Sequence, residues 1–225
     1  MKTVFTLAIL LVCATFPVNT DGSNIERKLI VGGDVVPVNA KTYMTGLRAT
    51  IGGNSFCGGS LISPTHVLTA SHCVVYDIRW ASIGSHFRNG TQDGEQIRVI
   101  SIMNHPNYQE NVLNSDDFLV LELAKPSSFK PVKLAAADDS DFKAGKWATT
   151  MGWGTNAETN DINPYELQRV DVQLASDEAC ANYATVDSSM RRVPPRHCAF
   201  HEAYKSQSCS YHSAKGVRVK PSTLL

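Results

Sequence analysis

The stretch Phe56-Cys57-Gly58-Gly59-Ser60-Leu61-Ile62-Ser63-Pro64-Thr65-His66-Val67-Leu68-Thr69-Ala70-Ser71-His72-Cys73 decides how the rest of the chain is read. Its apolar run from Ser60 to Ala70 is interrupted by Ser63-Pro64, a pair that favours a turn, so it reads as two strands folded back on each other. Folding back brings Cys57 and Cys73 close enough to be bridged, and a bridge would fix the backbone of His72. A histidine beside a cysteine would, on its own, be an ordinary structural residue.

Strand signals continue on both sides. Thr42 to Thr50 and Ser60 to Thr69 are rich in apolar and β-branched residues, and Gly52-Gly53-Asn54 between them predicts a hairpin. Val74 to Ile83 and Gln96 to Asn104 read as further strands, separated by Gly84, Asn89-Gly90 and Asp93-Gly94. Short strands at this spacing imply a barrel or sandwich. Pro126 to Asp141 is a polar connection and marks a boundary, after which Lys146 to Gly154 and the alternating Leu167 to Leu174 open a second set of strands. Ser176-Asp177-Glu178 predicts the start of a short helix over Ala179 to Tyr183, because acidic residues suit the positive end of the helix dipole. The chain contains no phosphate-binding glycine loop, zinc-type cysteine spacing, internal repeat or second membrane-length apolar segment. Cofactor, metal and nucleic-acid chemistry are therefore not expected.

Residues 1–20 pair Lys2 with an apolar run from Val4 to Cys13, too short to span a bilayer and suited to a secretory signal. The expected product is secreted and has no membrane association once the signal is removed. Cys13 leaves with that segment, so Cys57, Cys73, Cys180, Cys198 and Cys209 remain in a compartment where disulfides persist. Asn89-Gly90-Thr91 is a glycosylation sequon in a polar turn. The net charge is near zero, but residues 21–190 carry 13 Lys and Arg against 20 Asp and Glu, whereas residues 191–225 carry 7 against 1. A contrast of this size marks residues 191–225 as a divergent basic tail, expected to be poorly ordered.

The blocks Cys57 to Ile62 and Leu68 to Cys73 resemble the histidine motif of trypsin-like serine proteases, with Ser71 where that family usually has alanine. Asp116-Asp117-Phe118-Leu119-Val120-Leu121 resembles the family's aspartate motif, in which Asp117 is the matching residue, and Ile30-Val31-Gly32-Gly33 resembles its mature start after a short pro-like segment at 21–29. The resemblance implies an all-β fold, the trypsin-like double six-stranded β-barrel, with a first barrel over 30–135 and a partial second barrel over 136–190. It also implies that His72 would be the base and Asp117 the carboxylate that orients it and stabilises its protonated form; these roles are those of the general Ser-His-Asp template. In the family a cysteine downstream bridges the position of Cys180, and Cys198 and Cys209 are both open as its partner.

The family's Gly-Asp-Ser-Gly-Gly segment is missing from residues 191–225. Ser213 follows Cys209 by four as a nucleophile would, but Tyr211, His212, Ala214 and Lys215 replace the residues around it. The twelve residues after Ser213 leave too little sequence for a specificity pocket, so the second barrel is expected to be incomplete. The body is similar to the glucanase inhibitor proteins of oomycete plant pathogens, secreted protease homologues that bind host endo-β-1,3-glucanases. The resemblance implies an inactive, protein-binding effector in the host apoplast; the alternatives are an active endopeptidase using Ser213 and a non-functional truncated product.

Overall fold

The computed structural model describes residues 33–108, 116–136, 138, 140–154, 163–176, 178 and 199–200. Ten strands are formed: β1 (Asp34–Val35), β2 (Met44–Arg48), β3 (Cys57–Ser63), β4 (His66–Thr69), β5 (Trp80–Ile83), β6 (Glu95–Asn104), β7 (Leu119–Leu123), β8 (Trp147–Gly152), β9 (Gln168–Leu174) and β10 (Ala199–Phe200). Strands β2-β3-β4-β7-β6-β5 close into a six-stranded antiparallel barrel, and β1, β8, β9 and β10 form a second sheet. The fold is the all-β architecture expected, one closed barrel followed by a partial second one.

Alternation builds the closed barrel. Leu119, Leu121 and Leu123 of β7 point inward and are buried, while Val120 and Glu122 between them are half-exposed. They meet Leu47, Leu61, Val67, Ala81, Ile83 and Ile97 in one continuous core. The hairpin between β2 and β3 pairs Met44 with Ser60 and Leu47 with Cys57, and the fold-back at Ser63-Pro64 pairs Ser60 with Leu68 across β3 and β4. Gly94 must be glycine: it has φ +66°, and a Cβ there would sit 2.5 Å from the Ile83 carbonyl oxygen.

One expected strand is shorter than its pattern. Only Trp80–Ile83 of the Val74 to Ile83 run pairs as a strand, and Ser71–Val75 winds into a 3-10 turn before it. Cys73 donates its N–H to Ala70 at 3.2 Å, and Tyr76 donates to Cys73 at 3.1 Å. The local pattern of apolar residues could not reveal that Cys73 is held from across the hairpin. The helix expected over Ala179 to Tyr183 lies outside the described residues, as do residues 1–32, Cys180, Cys198, Cys209 and Ser213.

The second sheet is built on β9, which pairs with β8 along its whole length from Trp147↔Gln173 to Gly152↔Gln168. It also pairs with β1 through Asp34↔Arg169 and with β10 through Ala199↔Leu174. Barrel and sheet meet at residues 86–88 and 165–167. There Arg88 donates its N–H to Tyr165 at 2.8 Å, Leu167 donates to His86 at 2.8 Å, and the Trp153 indole donates to the His86 carbonyl at 3.1 Å. Val36, Met44, Met151, Trp153 and Leu167 fill the apolar layer between them.

Glu95, at the start of β6, ties that strand to the connection between the two units. Ser127 donates to Oε2 at 2.6 Å, and Ser128 donates through both its hydroxyl and its N–H. Partial burial pushes the Glu95 pKa up, but the hydrogen bonds from Ser127 and Ser128 outweigh it and leave the group below its ordinary value. A carboxylate with a lowered folded-state pKa stabilises above the unfolded value and loses that contribution as the pH falls through the folded one. The difference in urea midpoint between the native chain and Glu95→Gln is therefore expected to shrink on acidification; a constant difference from neutral pH into acid would refute the assignment.

Candidate functional site

The 3-10 turn and the start of β7 come together at the rim of the barrel. Cys57 and Cys73 are joined by a disulfide, with Cα atoms 6.3 Å apart, so the turn is bonded to β3 on one side of His72. Asp117 enters β7 after Asp116, which has φ +57° and turns the chain so that the next carboxylate points inward. The two residues meet: His72 Nδ1 lies 2.8 Å from Asp117 Oδ2, and the His72 backbone N–H donates to Asp117 Oδ1 at 2.8 Å. The Asp117 side chain is 5% exposed and the His72 side chain 55% exposed.

The carboxylate is thus spent entirely on His72, one oxygen on its ring and the other on its backbone. With Nδ1 donating to Oδ2, the ring is held in the tautomer that leaves Nε2 free to accept a proton. A buried carboxylate behind the ring also stabilises the imidazolium that would result. The pair has the arrangement that the Ser-His-Asp template gives a base and its orienting carboxylate. Cys57, His72 and Cys73 lie close enough to suggest a metal set, but both sulfurs are consumed in the disulfide and neither offers a thiolate.

Two supports were not legible as such. Ser71, seen in the sequence only as a departure from alanine, is fully buried and donates its hydroxyl to the Phe118 carbonyl at 2.7 Å, tying the turn to the residue after Asp117. His105 lies 3.9 Å from Asp116, its ring meets Phe118 tilted at 50° with centroids 4.4 Å apart, and its backbone N–H donates to the Phe118 carbonyl at 3.2 Å. The His105-Pro106 turn after a long strand was the available signal for this contact. Asn89, the sequon residue, is half-buried in the 85–94 loop, whose next carbonyl, that of Gly90, accepts from Arg48.

A closed antiparallel barrel with a histidine and a buried aspartate at its rim, followed by a second sheet on a connection of this length, defines the class of trypsin-like proteins. The chain belongs to the trypsin family, whose description, Trypsin, matches residues 30–210 and so continues past Met190 into the basic region. It is 48% identical to glucanase inhibitor protein 3 of Phytophthora infestans over 77% of this chain and 67% of that protein. With glucanase inhibitor protein 1 of the same organism it shares 47% over 75% of this chain and 65% of that protein. Serine protease 1 of Canis lupus familiaris is 31% identical over 81% of this chain and 70% of that protein. The chain spans about two thirds of the length of the glucanase inhibitor proteins it matches. Among the described residues no helix is long and apolar enough to cross a membrane.

Proposed function

We propose that this protein is a secreted member of the trypsin family that does not cleave peptides and instead binds and inhibits plant endo-β-1,3-glucanases in the apoplast, suppressing defence. The observation that carries the reading is the gap in identity: 48% to a protein named as a glucanase inhibitor against 31% to one named as a serine protease. The His72–Asp117 pair is then a retained framework, and the Gly-Asp-Ser-Gly-Gly segment needed for acyl transfer does not occur in the sequence. The apolar N-terminal run and the sequon at Asn89 fit a secreted glycoprotein.

The test is inhibition of laminarin hydrolysis by an apoplastic endo-β-1,3-glucanase, with hydrolysis of a basic-site peptide ester followed in parallel. Dose-dependent inhibition without ester turnover is expected; no inhibition across a panel of such enzymes would sink the reading. The geometry of the dyad favours one competitor, an endopeptidase using Ser213, since base and orienter are in place. Labelling by a serine-directed phosphonate that is lost in Ser213→Ala would establish that alternative.

The register of β10 bears on the disulfides. Cys198 directly precedes Ala199, which pairs with Leu174 on β9, and Cys180 follows Leu174 by only a few residues. Cys198 is therefore the expected partner of Cys180, leaving Cys209 unpaired within the chain. Non-reducing peptide mapping checks this, and a Cys180–Cys209 peptide would refute it.

A further inference from the structure

Beside His72 the chain builds a small rigid projection that neither the fold nor the dyad requires. Val75 and Tyr76 close the 3-10 turn, yet they are 64% and 50% exposed, large apolar side chains turned to solvent. The Tyr76 ring lies 5.0 Å from Phe56 at 33°, and Phe56 is fixed by its own N–H donating to Leu47 at 3.0 Å. The Cys57–Cys73 bridge holds the residues next to Phe56 and next to His72 together. The next carboxylate along the chain, Asp77, is neutralised by Arg79 at 2.6 Å. Apolar aromatic surface held by a disulfide loses little entropy on binding, and such surface dominates the energetics of interfaces.

We propose that this projection, Val75 and Tyr76 with the exposed edge of His72, is the element that enters the sugar-binding cleft of the endo-β-1,3-glucanase, His72 meeting its catalytic carboxyl groups. The inference rests on the glucanase-inhibitor reading and names the surface that would carry it out. Glycosidases of this kind work with a pair of Asp or Glu side chains, one protonated and one ionised, at the bottom of a cleft. His72 suits either member. Nδ1 is committed to Asp117, so Nε2 can accept from a carboxylic acid, or take a proton and donate to a carboxylate. The two carboxylates nearest along the chain and behind the ring are both engaged, Asp117 with His72 and Asp77 with Arg79, which leaves the Nε2 edge of His72 as the polar group that meets a carboxyl. Tyr76 supplies a ring where a sugar face would otherwise stack.

The experiment uses the full secreted chain and a plant endo-β-1,3-glucanase that it inhibits, with binding followed by calorimetry and inhibition by laminarin hydrolysis. Tyr76→Ala and His72→Ala are each expected to weaken binding tenfold or more at a temperature where the far-ultraviolet spectrum shows each variant fully folded. Ile102→Ser, on the exposed face of β6 away from the site, is the control and is expected to bind as the native chain does. Saturating laminarin oligosaccharide is expected to compete with the native protein. If the native chain inhibits but both site variants bind unchanged, or the oligosaccharide does not compete, the projection is not the contact and only this inference falls. If Tyr76→Ala instead abolishes self-association and leaves glucanase binding intact, the occupant is a second copy and the inference is overturned. If the native chain inhibits no glucanase, the reading beneath it falls too.

Discussion

Replacing Arg48 with methionine is expected to lower the unfolding free energy by about 2–4 kcal/mol, since each buried acceptor left without its donor costs about 1–3 kcal/mol and the removed guanidinium no longer has to be desolvated. Arg48 ends β2 and is fully buried. Its guanidinium is held by oxygens on every side: Nε donates to Ser55 Oγ at 3.1 Å, Nη2 to the Phe87 carbonyl at 3.1 Å and to Ser85 Oγ at 3.4 Å, and Nη1 to the carbonyls of Gly90 and Ile51. Burial lowers its pKa, and the negative charge of Asp93 opposes that shift. Methionine fills much the same volume but leaves several buried carbonyls without a donor, each an uncompensated desolvation. Lysine is expected to recover little, because one ammonium cannot fork to groups on both sides. The loop that Arg48 organises, residues 85–93, carries the sequon and docks on residues 165–167, so the contact between barrel and second sheet should loosen with it. Urea denaturation of Arg48→Met and Arg48→Lys measures this, and a loss of unfolding free energy below about 1 kcal/mol would show that water replaces the guanidinium without penalty.

Arg48 also marks what the sequence could not disclose. A lone arginine at the end of an apolar strand looks like the point where a chain leaves a barrel, whereas Ser85, Phe87 and Gly90, three of its partners, lie some forty residues further on. The strands themselves were legible because alternation is local: Leu167 to Leu174 and Leu119 to Leu123 carry their inward faces in the pattern. His72 and Asp117 were legible because each stands in a run of neighbours that resembles a family motif, and His72 Nδ1 does lie 2.8 Å from Asp117 Oδ2. The 3-10 turn was not, since Val74, Val75 and Tyr76 are good β-formers, and the expected Cys57–Cys73 bridge fixes where Cys73 lies but not the conformation of the residues around it. The contrast in charge marks residues 191–225 as divergent, while the family match runs to residue 210 and Ala199–Phe200 adds to β9. A two-residue strand has too short a pattern to read alone; it is defined by the partner it meets.

Breaking the Cys57–Cys73 bridge should cost the protein both stability and binding, and the two losses can be separated. The cysteines are 16 residues apart, a loop whose closure in the unfolded chain is worth about 3 kcal/mol. Cys57→Ser/Cys73→Ser is therefore expected to lower the unfolding free energy read from urea denaturation by that amount, with no partner cysteine left to reshuffle in the first barrel. The backbone N–H of His72 would still find Asp117, and Ser71 would still find the Phe118 carbonyl, so the base and its carboxylate should stay paired. The projection is different. Phe56 precedes Cys57, and Tyr76 leans on Phe56, so their contact is held chiefly by the bridge. The double variant should then bind a glucanase more weakly than its residual stability alone would imply, even well below its melting temperature. The measurement is calorimetric binding at a temperature where circular dichroism shows the variant fully folded. Native affinity there would mean that the projection keeps its shape without the disulfide, and that the bridge serves the barrel alone.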